Sequence, residues 1–262
     1  MDLEERQKIL SDYEDIFKNE REYYSKKKPT SITEFDLEKE QFFRKANIKL
    51  KQILGDVKGK KILDVGCGTG SLSFYLAQEG ATVVGIDLSR DLIEYCKEQS
   101  KNLGLSIDFR EMNAQIPDFE EESFEIILGS RIIHHLPDPG LFFNICKRLL
   151  KRNGFVAFIE PLKKNPIVEL NRRFFAPKER TVHEHPLFIR DVINAGKIFG
   201  NLEHYEFFLL SPLAMYFSRF INKPFIFKTA YKILNFFEKP LYKIEFLKEY
   251  CWQTVFKCRK LE

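Results

Sequence analysis

The apolar run Lys61-Ile62-Leu63 leads directly into Asp64-Val65-Gly66-Cys67-Gly68-Thr69-Gly70. Glycine at every second position after a strand makes an open turn. It tolerates positive φ, and its missing Cβ lets a ligand approach the backbone. Ser71 to Ala77 carries helical character. Ala81-Thr82-Val83-Val84-Gly85-Ile86-Asp87 then reads as a second strand closed by an acid. Strand, open turn, helix and strand put a pocket at the carboxyl end of a parallel sheet. An acid at the second strand's end can accept both hydroxyl protons of a ribose.

The glycine spacing narrows the ligand. A dinucleotide turn reads G-x-G-x-x-G. Counted from Gly66 and Gly68, its third glycine would fall at Ser71, but the glycine comes one residue earlier, at Gly70. No Lys-Ser or Lys-Thr pair follows, which excludes a phosphate loop. The string D-x-G-x-G-x-G resembles motif I of the class I S-adenosylmethionine-dependent methyltransferases. That resemblance implies a Rossmann-like seven-stranded α/β sandwich, with S-adenosylmethionine as donor and S-adenosylhomocysteine as product. It also implies Gly66, Gly68 and Gly70 as the floor under the donor's methionine part. Asp64 would face the ammonium directly or through water, and Asp87 would take the two ribose hydroxyls. Leu88 would lie on the adenine ring, Asn113 and Ala114 at its edge, and the Ser130 backbone beside the methionine. For Asn113, capping a turn is an equally good reading.

The 262 residues suffice for one large domain with additions. A net charge of +4 is too small to argue for nucleic acid as a whole-chain partner. Cys67, Cys96, Cys146, Cys251 and Cys258 form no C-x-x-C pair, so no metal or disulfide framework is expected and a reducing cytoplasm fits. The charged start Met1 to Arg6 lacks the apolar core of a signal peptide. The longest apolar stretch, 207–217, is broken by Ser211-Pro212 and is too short to span a bilayer.

Residues 3–24 and 36–54 read as two N-terminal helices, separated by Lys26-Lys27-Lys28-Pro29. Strands are expected at 61–65, 81–87, 107–113, 123–130 and 154–160, with helices between them. This alternation implies a mostly parallel sheet. After Pro161 the pattern is irregular to 185, followed by a helix near 187–199, a strand near 202–210 and a final strand at 250–258. This gives three expected units: a helical extension, 1–59; a core, 60–210 plus 249–262; and a cap insertion, 211–248.

Ser130-Arg131-Ile132-Ile133-His134-His135-Leu136-Pro137-Asp138 is similar to the segment after the fourth strand in many small-molecule methyltransferases. It lacks the N/D-P-P-Y/F string of methyltransferases that modify DNA, adenine or protein glutamine. A histidine near neutrality can take a proton from a hydroxyl nucleophile, making His134, His135 and His183 candidate bases. Tyr24, Arg131, Glu160, Arg173 and His185 are candidate substrate contacts, with Glu160 at the strand rim and Arg173 and His185 in a basic segment. The alternative for that segment is an ion-paired loop. His183-x-His185 has no third ligand, so no metal is expected. In 217–248, seven basic residues oppose two acids among many aromatics. That pattern fits a lid over a lipophilic acceptor, an interfacial helix on anionic membrane, a helix packed on the core or, least favoured given the modest charge, a surface that stacks nucleic-acid bases. The expected function is methyl transfer to a small lipophilic or amphipathic acceptor. The alternatives are an RNA or protein methyltransferase and a non-catalytic cofactor-binding or membrane-surface adaptor. The sequence leaves the oligomeric state open.

Overall fold

The computed structural model describes residues 3–25, 43–174, 184–214 and 224–261. Seven strands form one sheet: β1 (Lys61–Val65), β2 (Thr82–Asp87), β3 (Asp108–Glu111), β4 (Phe124–Ser130), β5 (Leu150–Pro161), β6 (Glu203–Phe207) and β7 (Gln253–Arg259). Their order is β3-β2-β1-β4-β5-β7-β6. The first five run parallel, while β7 runs antiparallel to both β5 and β6. The order reverses between β1 and β4. At such a switch point the connections leave in opposite directions and open a crevice above the strands' carboxyl ends.

Helices α1 (Leu3–Asp12), α2 (Glu14–Ser25), α3 (Arg44–Leu54), α4 (Ser71–Gln78), α5 (Arg90–Asn102), α6 (Pro139–Leu149), α7 (Pro166–Phe174), α8 (Ile189–Phe199), α9 (Pro224–Leu241) and α10 (Glu245–Lys248) surround the sheet. The five strands between the edges are buried on both faces, and their period of two divides the core. Ile62, Val83, Ile126, Leu128 and Ala157 pack with α3 and α4. Leu63, Val84, Ile127, Val156 and Phe158 pack with α6 and α8. Local signals set the helix starts: Ser89 Oγ accepts the Leu92 N–H, and Asp138 Oδ1 accepts the Leu141 N–H ahead of Pro139.

Three expectations need correction, and a fourth is covered only in part. The helix expected over 3–24 divides at Tyr13 into α1 and α2. The helix expected over 36–54 is described only from Arg44 onward; its earlier residues lie outside the described ones. The third strand is shorter than 107–113. The irregular stretch 162–185 contains α7, a short helix opened by Pro166 that mixes Ile167, Val168, Leu170 and Phe174 with Glu169, Arg172 and Arg173. All five cysteines are free and buried.

The insertion is fastened at its end. Glu238 is fully buried and accepts the N–H groups of Leu210 and Ser211, both at 2.9 Å. Tyr242 Oη accepts the Phe208 N–H at 3.1 Å. Another face of α9 is open, with Ile233, Phe236 and Phe237 each more than half exposed. No helix among the described residues is long and apolar enough to cross a membrane.

Candidate active site

The glycine turn is held from behind. Cys67 N–H donates to Ile86 O at 3.0 Å, tying the turn to β2. Gly70 has φ 78°, and a Cβ there would lie 2.9 Å from Phe74 and from Cys96 Sγ. A Cβ on Gly66, at φ 65°, would lie 2.6 Å from Ile132. Those two positions require glycine for backbone conformation and close packing. Gly68 differs, because the space its Cβ would enter is empty.

Gly68 also borders a cavity of about 560 Å³ over the β1 and β4 ends. Gly66, Gly68, Asp87, Leu88, Asn113, Ala114, Ser130 and Arg131 line it. Asp87 Oδ2 accepts the Gly68 N–H and Oδ1 the Ser89 N–H, each at 2.9 Å. Each oxygen keeps a second lone pair for a ligand. Burial raises the Asp87 carboxyl above its ordinary range, opposed by the N–H groups of Ser89, Gly68 and Leu88. Asn113 lines the cavity and caps a turn, with Oδ1 accepting the Gln115 N–H at 2.9 Å.

Two residues expected at the donor, Asp64 and Gly70, do not line the cavity. Gly70 is consumed by helix packing. Asp64 is 1% exposed and accepts the Ser73 hydroxyl at 2.6 Å. Burial raises its carboxyl to about 7, opposed by the Ser73 hydrogen bond and reinforced by Asp87. Asp64 therefore binds its proton more tightly when folded than unfolded. Its contribution to stability is fully present below pH 4 and is lost as pH rises to 7. Relative to Asp64→Asn, the wild type loses about 4 kcal/mol over that window, at 1.36 kcal/mol per pKa unit. Unfolding both proteins by denaturant at pH 5 and pH 8 checks this; a constant difference between them contradicts it.

The adjacent histidines part company. His134 is 5% exposed, with Nδ1 2.7 Å from Glu160 Oε2, and does not reach the cavity. Glu160 is fully buried and also accepts the Ile132 and Ile133 N–H groups at 2.8 Å. His134 and Glu160 thus stake down the 3₁₀ turn Ile133–His135. His134 is therefore corrected from candidate base, and Glu160 from candidate substrate contact, because each is spent on the other.

His135 does line the cavity. Its Nε2 lies 3.0 Å from Tyr24 Oη, and its Nδ1 lies 3.2 Å from Glu20 Oε2. The Glu20 contact is at charge-pair distance but off the line of a formed hydrogen bond. Helix α2 covers the cavity with Phe17, Glu20 and Tyr24. Burial, then the Glu20 charge, pushes the Tyr24 phenol well up, so it remains a proton donor at neutral pH.

The basic segment stands apart. Arg173 is exposed and lies over the Phe174 ring, outside the cavity lining. His185 touches the site only from behind, its N–H donating to His134 O at 3.0 Å. Both side chains are exposed and outside the cavity lining, so neither stands as a substrate contact. His183 lies outside the described residues. No described residue of 211–248 lines the cavity, because Glu238 and Tyr242 hold that segment against 208–211. Sequence reasoning missed Phe17, Glu20, Thr69, Leu92, Met112 and Leu136. Only the 17, 20, 24 spacing, one face of a helix, could have pointed to the first two. Among the described residues no cluster of His, Cys, Asp and Glu could hold a metal.

Residues 63–158 match a methyltransferase domain family. The ubiquinone biosynthesis O-methyltransferase of Actinobacillus pleuropneumoniae serotype 5b is 39% identical over 116 residues, 42% of this chain and 49% of that protein. The enzyme of the same name from Pasteurella multocida is 36% identical over 121 residues, again 42% and 49%. The chain thus spans about half the length of these curated relatives. Among solved structures, Haemonchus contortus phosphoethanolamine N-methyltransferase 2 superposes with TM-score 0.59 at 17% identity, covering 92% of this chain and 60% of that one. The [4+2]-cyclase SpnF superposes with TM-score 0.55 at 15% identity, covering 97% and 96%. These two likenesses are of fold alone, and they span different reactions. With its open glycine turn, its β2 acid and its seven-stranded sheet, the chain carries over residues 63–158 a methyltransferase domain of the class I S-adenosylmethionine-dependent type.

Proposed function

We propose that this protein transfers a methyl group from S-adenosylmethionine to a hydroxyl of a small lipophilic acceptor. The observation that carries the reading is His135, partly buried at the wall of an otherwise mostly apolar cavity with Tyr24 on Nε2 and Glu20 beside Nδ1. A hydroxyl must lose its proton as its oxygen attacks, so a positioned base contributes to the rate.

The residues present fit the donor. Gly68 leaves backbone open to the cavity, Asp87 offers two carboxylate lone pairs, and Leu88, Met112 and Ala114 supply apolar surface for a flat base. When bound, S-adenosylmethionine supplies an electrophilic methyl group. The chain then positions the acceptor and excludes water. Arg131 carries a left-handed backbone, φ 60°, at the cavity rim, and its guanidinium lies over the Phe43 ring, making it a candidate acceptor contact. His135 is the candidate base, with Tyr24 between it and the acceptor. We assign 1–59 as a helical extension, of which α2 covers the cavity, and 60–210 plus 249–262 as the core.

The names of the curated relatives favour an O-linked, lipophilic acceptor over RNA or protein. The insertion 211–248 supports such an acceptor differently from a lid. Exposed Ile233, Phe236, Phe237 and Phe246 stand among the exposed Lys228, Lys232, Lys239 and Lys243. Apolar side chains that enter the acyl boundary, ringed by lysines facing anionic headgroups, suit peripheral membrane contact. A long-chain alkylcatechol carried in phosphatidylglycerol vesicles is expected to accept radiolabelled methyl from S-adenosylmethionine. Transfer should slow in neutral vesicles, in high salt, and on changing Lys228, Lys232 and Lys239 to Glu. Equal rates in all vesicles would remove the membrane contact, and no transfer would remove the acceptor class.

A further inference from the structure

We propose that Glu20 is the positioning residue that makes His135 a base. Resting on the hydroxyl-acceptor reading, this makes α2 a working half of the catalytic centre. Glu20 and Tyr24 stand one helical turn apart on α2, so their side chains project from the same face. They meet the two nitrogens of one imidazole, Glu20 Oε2 at 3.2 Å from Nδ1 and Tyr24 Oη at 3.0 Å from Nε2.

That bracket sets the ring's protonation pattern. A carboxylate only accepts hydrogen bonds, whereas a phenol can also donate one. With Glu20 facing it, Nδ1 carries the ring proton, and Nε2 is left bare to accept from the Tyr24 hydroxyl. Nε2 is thereby the basic atom, on the ring edge that faces Tyr24. As the acceptor oxygen bonds to the methyl carbon, its O–H bond breaks and the proton passes to Tyr24 Oη. Tyr24 gives its own proton to His135 Nε2. The electron pair of the broken carbon–sulfur bond returns to sulfur. His135 becomes imidazolium, whose charge faces Glu20.

The burial of Glu20 supports a catalytic rather than a stabilising role. It is 6% exposed, and its Oε1 has no hydrogen-bond partner among the described residues. His135 Nδ1 beside it is likewise without a formed hydrogen bond. A buried carboxylate left partly unpaired is costly for the fold. The cation formed at His135 during transfer supplies the missing charge, so the interaction is stronger in the transition state than in the resting protein. Loose catalytic hydrogen bonds that tighten in the reacting complex are common in ligand-free structures.

The test is nitrogen NMR of the neutral imidazole in ¹⁵N-histidine protein loaded with S-adenosylhomocysteine, the His135 signal being assigned by its loss in His135→Gln. Wild type should show a protonated Nδ1 and a bare Nε2. Glu20→Ala should move the proton to Nε2, and Glu20→Asp should restore the wild-type pattern. Glu20→Gln, which keeps the volume, should lower kcat for the alkylcatechol about 100-fold with little change in KM. An unchanged tautomer in Glu20→Ala, or unchanged kcat in Glu20→Gln, overturns the proposal. A wild type inert toward the alkylcatechol, but with the tautomer shift intact, sinks the acceptor reading and leaves the Glu20–His135 clamp standing.

Discussion

His135→Ala is expected to lower kcat for the alkylcatechol by about 10²–10⁴-fold, the usual range for a lost general base. Affinity for S-adenosylhomocysteine should stay nearly constant, because the donor contacts proposed at Asp87, Gly68 and Leu88 remain in the cavity wall. The neighbouring substitution should behave oppositely. His134→Ala removes a buried 2.7 Å contact with Glu160 and no cavity surface. It should lower stability by about 1.5–3 kcal/mol, the range for a hydrogen bond to a charged group. The folded fraction should retain most of its turnover. Steady-state kinetics on both variants, with calorimetric titration and denaturant unfolding, separates the two roles. Equal losses of turnover and donor affinity in His135→Ala would make that histidine structural as well.

The sequence already carried the frame that positions this chemistry. The strand ending at Asp64, the alternate glycines and the acid at Asp87 are local features, and local features determine a strand–turn–helix unit. The division of labour between His134 and His135 was not legible. It follows from a 3₁₀ turn that sends one ring toward Glu160, 26 residues away, and the next toward α2, more than 100 residues away. Glu20 was hidden for the same reason: one acid among many on a charged helix has no mark in sequence until a tertiary partner faces it. The part played by 211–248 also failed to follow from its pattern. Basic and aromatic residues at helical spacing fit a lid, a core helix and a membrane face equally. The choice among these rests on Glu238, which is buried and fastened to the 210–211 backbone instead of the cavity.

Asp87→Ala is expected to weaken S-adenosylhomocysteine binding by about 10²-fold or more, since each charged hydrogen bond is worth roughly 1.5–3 kcal/mol. Two losses act together. The substitution removes the carboxylate from the cavity wall. It also frees the Gly68 N–H, which Oδ2 holds at 2.9 Å, and the Ser89 N–H, which Oδ1 holds at the same distance. The glycine turn then loses the anchor that joins it to the end of β2, and the residue that caps α5 is loosened. Asp87→Asn separates these effects. An amide keeps one acceptor oxygen and presents an NH₂ where a second acceptor is needed, so one of the two backbone donors loses its partner. Asp87→Asn should therefore fall between wild type and Asp87→Ala in affinity, and it should unfold at slightly lower denaturant than wild type. Calorimetric titration with S-adenosylhomocysteine measures the first and denaturant unfolding the second. The wild type should give no binding heat with NAD, because the turn lacks the third glycine at position 71 that lets a helix approach a pyrophosphate. Unchanged affinity in Asp87→Ala would mean that the donor lies elsewhere in the crevice, and the assignment of the β2 acid would fall with it.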